Sequence, residues 1–380
     1  MTFKKKALVV IPFAFHRESG SSLSTYYRVL ALSELLESVD VITTPHGSDI
    51  SLHNVTITRL PNKKFFNSYQ PGEYRKRLVY EFFLLIGTLK RLLRENYTLV
   101  IIHGSSIYWA FWMQKLFKVP FIVTVHGNIQ AELEKWGISS KKTWQSIASK
   151  IENKIIDSFP VIIAEHESVK DILIKGGVDP KKISLIRICV KSVDKIKSLT
   201  DKENFKILYT GTFVKIQNIE LLYRTAALLR EENIVFIIVG GIEDELQIEQ
   251  RRVKAYNVED KIKIMPRMDQ KDLLDYYRIS DIVVSPREFG HDTPMKIFDY
   301  LNYGKCILAT DRPIHTGILN NEVACLVEPT PEAFAVKINE FKNNPDVISQ
   351  KEIAAKLYFE QNFEFKFMIA EYSKILNLHI

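Results

Sequence analysis

Short, unbroken apolar runs alternate with longer helical stretches along almost the whole chain, and the series starts twice. The first series is Lys6–Pro12, Val39–Thr44, Val55–Leu60, Leu99–His103, Phe121–His126 and Val161–Ala164, with Ile183–Val190 closing it. Most of these runs are apolar at every position instead of at every second one. That is the pattern of parallel strands covered on both faces. Between them lie segments with apolar residues at helical spacing, such as Ser24–Leu36, Tyr74–Leu93 and Ser105–Phe117. Strands alternating with helices predict a doubly wound α/β sheet. The polar, weakly periodic stretch Lys191–Asn204 interrupts the series and reads as a linker. The series restarts with Phe205–Gly211, Ile234–Gly240, Lys261–Met265, Ile282–Pro286 and Cys306–Thr310. Helices are expected between these at Ile219–Arg230, Glu243–Tyr256, Lys271–Arg278 and Thr293–Tyr303. The tail, Pro331–Leu376, reads as three helices without a strand.

A chain of 380 residues is long enough for two such domains. The expected boundaries are 1–195 and 196–360, with a final helix over 361–380 that packs back toward the first domain. Ligands of doubly wound sheets bind outside the carboxyl ends of the strands, at the point where strand order reverses. With two Rossmann-like halves, the expected pocket is the cleft between them. The formal net charge of +7 suits anionic partners such as nucleotide phosphates or a lipid surface. No recognised nucleic-acid fold or aromatic motif accompanies the charge, so no nucleic-acid partner is expected. The three cysteines, Cys189, Cys306 and Cys325, have no CxxC spacing, and a reducing, cytoplasmic setting fits them. Ala7–Phe15 is apolar, but His16-Arg17-Glu18 follows at once, so it reads as a first strand and not as a signal peptide. No run approaches the roughly 18 apolar residues needed to span a bilayer. Basic and aromatic residues at Lys63–Phe66, Tyr74–Arg77, Lys90, Arg91 and Arg94 leave contact with an anionic membrane surface open.

The most informative segment runs from Asp281 to Asp311. A buried strand leads into a loop with Gly290. A helix is expected near Thr293, with Thr293 as its cap, Pro294 at its first position and Gly304 ending it. The bare N–H groups of such a helix end can hold an anion such as a diphosphate. The Asp299 carboxylate can accept hydrogen bonds from ribose hydroxyls. Taken without any likeness, the same residues also fit a plain strand–loop–helix–strand of any nucleotide-binding half.

The order Pro294-Met-Lys-Ile-Phe-Asp-Tyr300, followed by Gly304-Lys-Cys, resembles the donor-binding signature of the GT-B glycosyltransferases of family 4, the group 1 glycosyltransferases. In these a helix of the form P-x-K-x-F-E-Y-x-x-x-G-K-P follows the strand. The resemblance places Asp299 where the family carries the glutamate that binds the nucleotide ribose. The family's other motif glutamate, eight positions earlier, falls on His291, with Glu288 nearby as a substitute. Residues His291, Asp292, Thr293, Pro294, Met295 and Lys296 are thereby implied in donor binding.

Other segments extend the likeness. Ile207–Leu222 resembles the first strand of the family's second domain, where the Gly after the strand, here Gly211, admits the donor phosphates. The family's Arg one residue later is Thr212 here. Its Lys position holds Gln217, with Lys215 two residues away as the alternative cation. Gly240 belongs to a V-G-x-G-like turn near the nucleotide, and Arg267 occupies the turn that touches the base. In the first half, Gly20-Ser21-Ser22 stands where the family has a glycine pair beside the sugar and diphosphate. His126 stands at the strand end where a family histidine meets sugar and acceptor. His103 is open between site wall and structure.

The resemblance implies a retaining, metal-independent hexosyl transfer from a nucleotide-diphosphate sugar to a glycan or lipid-linked acceptor, in surface polysaccharide or glycolipid synthesis. No cofactor beyond the donor substrate and no metal are expected. His126, Lys215 and Glu288 are the implied catalytic groups, acting by position and by charge on the departing nucleotide. The departures at Thr212, Gln217 and His291 keep two alternatives: a sugar-nucleotide epimerase and a nucleotide-sugar-binding protein with impaired catalysis.

Overall fold

Apolar runs that stay apolar at every position form strands with a core on each side. In the computed structural model, which describes residues 3–16, 20–61, 74–126, 142–196, 199, 203–289 and 293–379, two all-parallel sheets carry this out. The chain divides into two units, Met1–Val190 with Phe365–Ile380, and Lys191–Glu364.

The first unit holds β1 (Phe3–Ile11), β2 (Leu36–Thr43), β3 (Val55–Arg59), β4 (Leu99–His103), β5 (Phe121–Val125), β6 (Val161–Ala164) and β7 (Ile183–Leu185). Their order in the sheet is β3-β2-β1-β4-β5-β6-β7, so strand order reverses between β1 and β4. The helices are α1 (Gly20–Leu35), α2 (Tyr74–Arg94), α3 (Ile107–Leu116), α4 (Lys142–Asp157) and α5 (Glu167–Lys175). The two-residue period of a strand splits β1 between two cores. Ala7, Val9 and Ile11 pack with Val29 and Leu32 of α1. Leu8 and Val10 pack on the other face with Leu84 of α2 and Ala110 of α3.

The second unit holds β8 (Phe205–Thr210), β9 (Ile234–Gly241), β10 (Ile262–Pro266), β11 (Ile282–Ser285), β12 (Cys306–Thr310) and β13 (Cys325–Val327), ordered β10-β9-β8-β11-β12-β13. Here the order reverses between β8 and β11. Its helices are α6 (Glu220–Leu228), α7 (Glu243–Ala255), α8 (Gln270–Ile279), α9 (Lys296–Asn302), α10 (Pro313–Thr316), α11 (Pro331–Asn343) and α12 (Pro345–Asn362). The last helix, α13 (Phe365–His379), belongs to the first unit. Met368, Tyr372 and Leu376, one helical turn apart, are buried there in the core that α1 shares.

Three details differ from the sequence reading. β7 stops at Leu185 instead of reaching Val190. β13 was not expected, because three half-buried residues carry no periodic signal. Helix α9 begins at Lys296, not near Thr293, and is seven residues long. A residue before proline is pushed toward extended backbone. Thr293 is buried, and Met295 takes the cap position without a side-chain bond. The first turn is wound tightly by Ile297 N–H to the Pro294 carbonyl at 2.9 Å and Phe298 N–H to the Met295 carbonyl at 3.0 Å. No helix among the described residues is long and apolar enough to cross a membrane.

Candidate active site

In the second unit, β8 and β9 end side by side on glycines. Gly211 has φ +138 and Gly240 φ +147. A Cβ on Gly240 would stand 1.9 Å from the Gly211 carbonyl oxygen, so only bare backbone passes there. A Cβ on Gly211 would stand 2.8 Å from Lys296 Nζ, which places the ammonium directly on this turn. Lys296 opens α9 and is 8% exposed. Its Nζ lies 3.7 Å from the centre of the Tyr209 ring and donates to Gln217 Oε1 at 3.1 Å. Among the described residues no carboxylate pairs with it. Burial, and then the charge of Arg287, push this ammonium well below its ordinary value. A ring face and an amide oxygen compensate a buried cation only in part. Among the described residues the arrangement is therefore short of one anion.

Asp299 sits one turn further along α9, on the same side by helical spacing. It is half-buried, and burial pushes its carboxyl up to about 7. Tyr277, Tyr300 and Tyr303 surround it, but their hydroxyls are engaged elsewhere. Tyr277 and Tyr300 meet Thr210 Oγ1, each at 3.2 Å, and Tyr303 accepts from Gln270 at 3.0 Å. Among the described residues no side chain hydrogen-bonds the Asp299 carboxyl. A half-open acceptor with no donor among the described residues, one turn from a cation with no anion among them, suits a ligand that carries hydroxyls beside a phosphate.

Arg287 follows β11 and is held by its backbone. Its carbonyl accepts from Thr310 Oγ1, and its Nε donates to the Phe289 carbonyl at 2.8 Å. Behind it Ser285, Thr310 and His315 are all buried. The Thr310 carbonyl, 3.0 Å from His315 Nδ1, requires a proton there, so Nε2 accepts from Ser285 Oγ at 2.8 Å. Burial lowers His315 to about 4, which keeps it neutral at pH 7. This serine–histidine pair is closed to substrate and ties the ends of β11 and β12 together.

The remaining expected donor residues are placed variously. Lys215 is exposed on the 3-10 turn Lys215–Gln217, and it is Lys296, not Lys215, whose ammonium lies at Gly211. Thr212 is exposed, with its carbonyl accepting from Tyr209 Oη at 2.9 Å. Arg267 is exposed and its N–H reaches the Gly241 carbonyl at 3.0 Å. Glu288 and Met295 are half-buried, while Thr293 and Pro294 are buried. Gly290, His291 and Asp292 lie outside the described residues.

In the first unit, His126 follows β5 directly, and Gly20 and Ser21 open α1. His126 Nδ1 is 2.8 Å from Glu165 Oε2, and its Nε2 is 3.4 Å from His103 Nδ1. Glu165 in turn accepts from Ser24 Oγ and Arg28 Nε, both at 2.9 Å. Glu165, Arg28, Ser24 and Arg287 were missed by the sequence reading. A signal existed for three of them. Glu165 is the first polar residue after an apolar strand, as His126 is. Ser24 and Arg28 are four apart on α1, which puts both on one face.

Comparisons with known proteins agree with this architecture. Residues 19–191 match the model of Glycosyltransferase Family 4, and residues 190–357 match that of Glycosyl transferases group 1. An uncharacterized glycosyltransferase, YqgM of Bacillus subtilis (strain 168), is 19% identical over 206 residues, spanning 53% of this chain and 56% of that relative. Sucrose-phosphate synthase from Thermosynechococcus elongatus has a similar fold, with a TM-score of 0.76 at 15% identity, covering 98% of this chain and 99% of that one. Anabaena HepE, in complex with UDP and glucose, gives 0.71 at 12% identity over 98% and 99%. WaaG, a glycosyltransferase involved in lipopolysaccharide biosynthesis, gives 0.68 at 10% over 97% and 99%. The two family models together account for nearly the whole chain, and the chain belongs to the group 1, family 4 glycosyltransferases of the GT-B class.

Proposed function

We propose that this glycosyltransferase moves a hexosyl group from a nucleotide-diphosphate sugar to a glycan or lipid-linked acceptor, with retention at the anomeric carbon and without a metal ion. The observation that carries the reading is Lys296, a buried ammonium that no carboxylate pairs with among the described residues, beside an Asp299 carboxyl that no side chain among them hydrogen-bonds. Lys296 Nζ binds the diphosphate on the bare backbone of Gly211. It supplies the charge that Thr212 and Gln217 lack, and Gln217 holds the ammonium in place. Asp299 accepts the ribose hydroxyls. As the bond between sugar and diphosphate breaks, negative charge grows on the leaving oxygen. A fixed cation there favours the transition state over the ground state. His126 of the first unit hydrogen-bonds a hydroxyl of the acceptor. No cofactor takes part, and among the described residues no group of metal-ligating side chains gathers.

The acceptor reading is lipid-linked, for surface polysaccharide or glycolipid synthesis. Leu78 and Phe82 on α2 and Trp112 and Leu116 on α3 are exposed, and Lys115 lies 4.0 Å and 4.9 Å from the Phe111 and Trp112 ring centres. Apolar rings with basic neighbours suit an anionic membrane surface. Lys63–Phe66 lie outside the described residues. Salt-sensitive sedimentation with anionic liposomes supports this part, and its absence ends it.

HepE was solved with UDP-glucose, which makes that donor the first probe. Nucleotide release from UDP-glucose, UDP-N-acetylglucosamine and GDP-mannose is measured for the wild type, Lys296→Met and Asp299→Asn. We expect turnover of at least one donor, unchanged by chelators, with kcat down roughly 100- to 1000-fold in Lys296→Met. Donor binding with no turnover points instead to the impaired, binding-only alternative. Wild-type rates in Lys296→Met refute the assignment of the cation.

A further inference from the structure

Three polar side chains inside the first unit converge on one edge of His126. Glu165 Oε2 meets its Nδ1, while Glu165 Oε1 accepts from both Ser24 Oγ and Arg28 Nε. Arg28 is fully buried, and its Nη2 also donates to the Ile186 carbonyl at 2.7 Å. Burial alone would push the Glu165 carboxyl up, but His126 and Arg28 outweigh it and hold it well below the usual range. The group is therefore a carboxylate that can only accept, and the proton between it and His126 belongs to Nδ1.

A buried arginine–carboxylate pair adds little stability over apolar groups of the same volume. Packing alone does not account for it. Of the four side chains only His126 reaches solvent appreciably, with 21% of its side chain exposed. Its ring plane is also fixed, edge-on to Phe13 at 5.7 Å and stacked with His103 at 5.6 Å. Burial, followed by His126, lowers His103 well below its ordinary value, so this neighbour is neutral. Among the described residues its Nε2 has no partner. The network thus ends at one solvent-facing imidazole whose Nδ1 is committed and whose Nε2 meets, among the described residues, His103 Nδ1 at a long 3.4 Å.

We propose that Glu165, clamped by Arg28 and Ser24, is a positioning residue that keeps the His126 proton on Nδ1 and so leaves Nε2, which His103 approaches only to 3.4 Å, as the acceptor for a hydroxyl of the acceptor substrate. This rests on the reading of His126 given under the proposed function. A carboxylate that fixes an imidazole tautomer acts in this way in unrelated enzymes.

The test uses the full chain at pH 9 and long-range 1H–15N spectra of its imidazoles, with His126 assigned by its loss in His126→Ala. The wild type is expected to show the Nδ1–H form. Glu165→Gln can donate as well as accept, so a mixture with the Nε2–H form is expected. With UDP-glucose, or whichever donor is turned over, kcat falls about 10- to 100-fold, while donor KM changes by less than about twofold. Ser24→Ala leaves the buried ion pair in place and guards against unfolding. It should lose about threefold in kcat in the same direction, one hydrogen bond's worth. A wild-type spectrum with the proton on Nε2, or wild-type kcat in Glu165→Gln, overturns the proposal. The spectra need no turnover. If no donor is used at all, the functional reading fails, and the position of the proton still decides whether Glu165 fixes the ring.

Discussion

Asp299 and Lys296 respond to pH in opposite senses, and this separates them. Burial holds the free Asp299 carboxyl near 7. A ribose hydroxyl donating to it favours the ionised form, so binding lowers that value and releases a proton. Affinity for UDP-glucose should therefore rise from about pH 5.5 to about 7 and then level off. Calorimetry in buffers of different ionisation enthalpy should show the proton release, and Asp299→Asn should abolish both. The diphosphate favours the Lys296 ammonium, whose value is depressed. Affinity should fall again at alkaline pH, and Lys296→Met should remove that limb. Gly211→Ala tests the turn beneath. At φ +138 an added methyl meets Nζ at 2.8 Å. We expect a loss of about 1–3 kcal/mol in stability, read from denaturant midpoints, with weaker donor binding. Asp299 was legible in the sequence through the order of residues around it. The direction of Lys296 was not, because helical spacing gives a face and not what the end of a long side chain meets.

At the scale of elements, the strands were legible where both faces are buried, because Ala7–Ile11 of β1 and nearly every position of β4, β5, β6, β11 and β12 are apolar. The start of α9 was misplaced because Thr293 and Pro294 imitate a cap and a first turn. Whether a threonine caps a helix or is buried beside it depends on the neighbouring strands, not on the local order. The last helix carries its own prediction. Met368 is buried between α13 and the core shared with α1. Met368→Ala should cost about 2–5 kcal/mol, seen as a lower urea midpoint for the first unit's transition and an unchanged one for the second.

Over the whole molecule, the chain passes from the first unit to the second at Val190 and returns at Glu364. One core of the second unit is made wholly of residues between Phe205 and Ile348, and the buried Ile196, Ala355, Phe359 and Phe363 also belong to that unit. One core of the first requires Met368, Tyr372, Ile375 and Leu376 from the chain's far end. Ending the chain after Glu364 should remove the first unit's thermal transition and leave the second unit's in place, as followed by calorimetry. The amino-acid order by itself determined two doubly wound parallel sheets, the glycines at their strand ends and the family motif from Pro294 to Lys305. These are local matters, set by side-chain period and by backbone freedom within a few residues. Only the tertiary structure decided that Lys296 rests on Gly211 against Gln217, 79 residues away, and that Arg28 reaches Glu165 across 137. Such meetings depend on which strand ends the packed sheet brings together, and no local pattern encodes them.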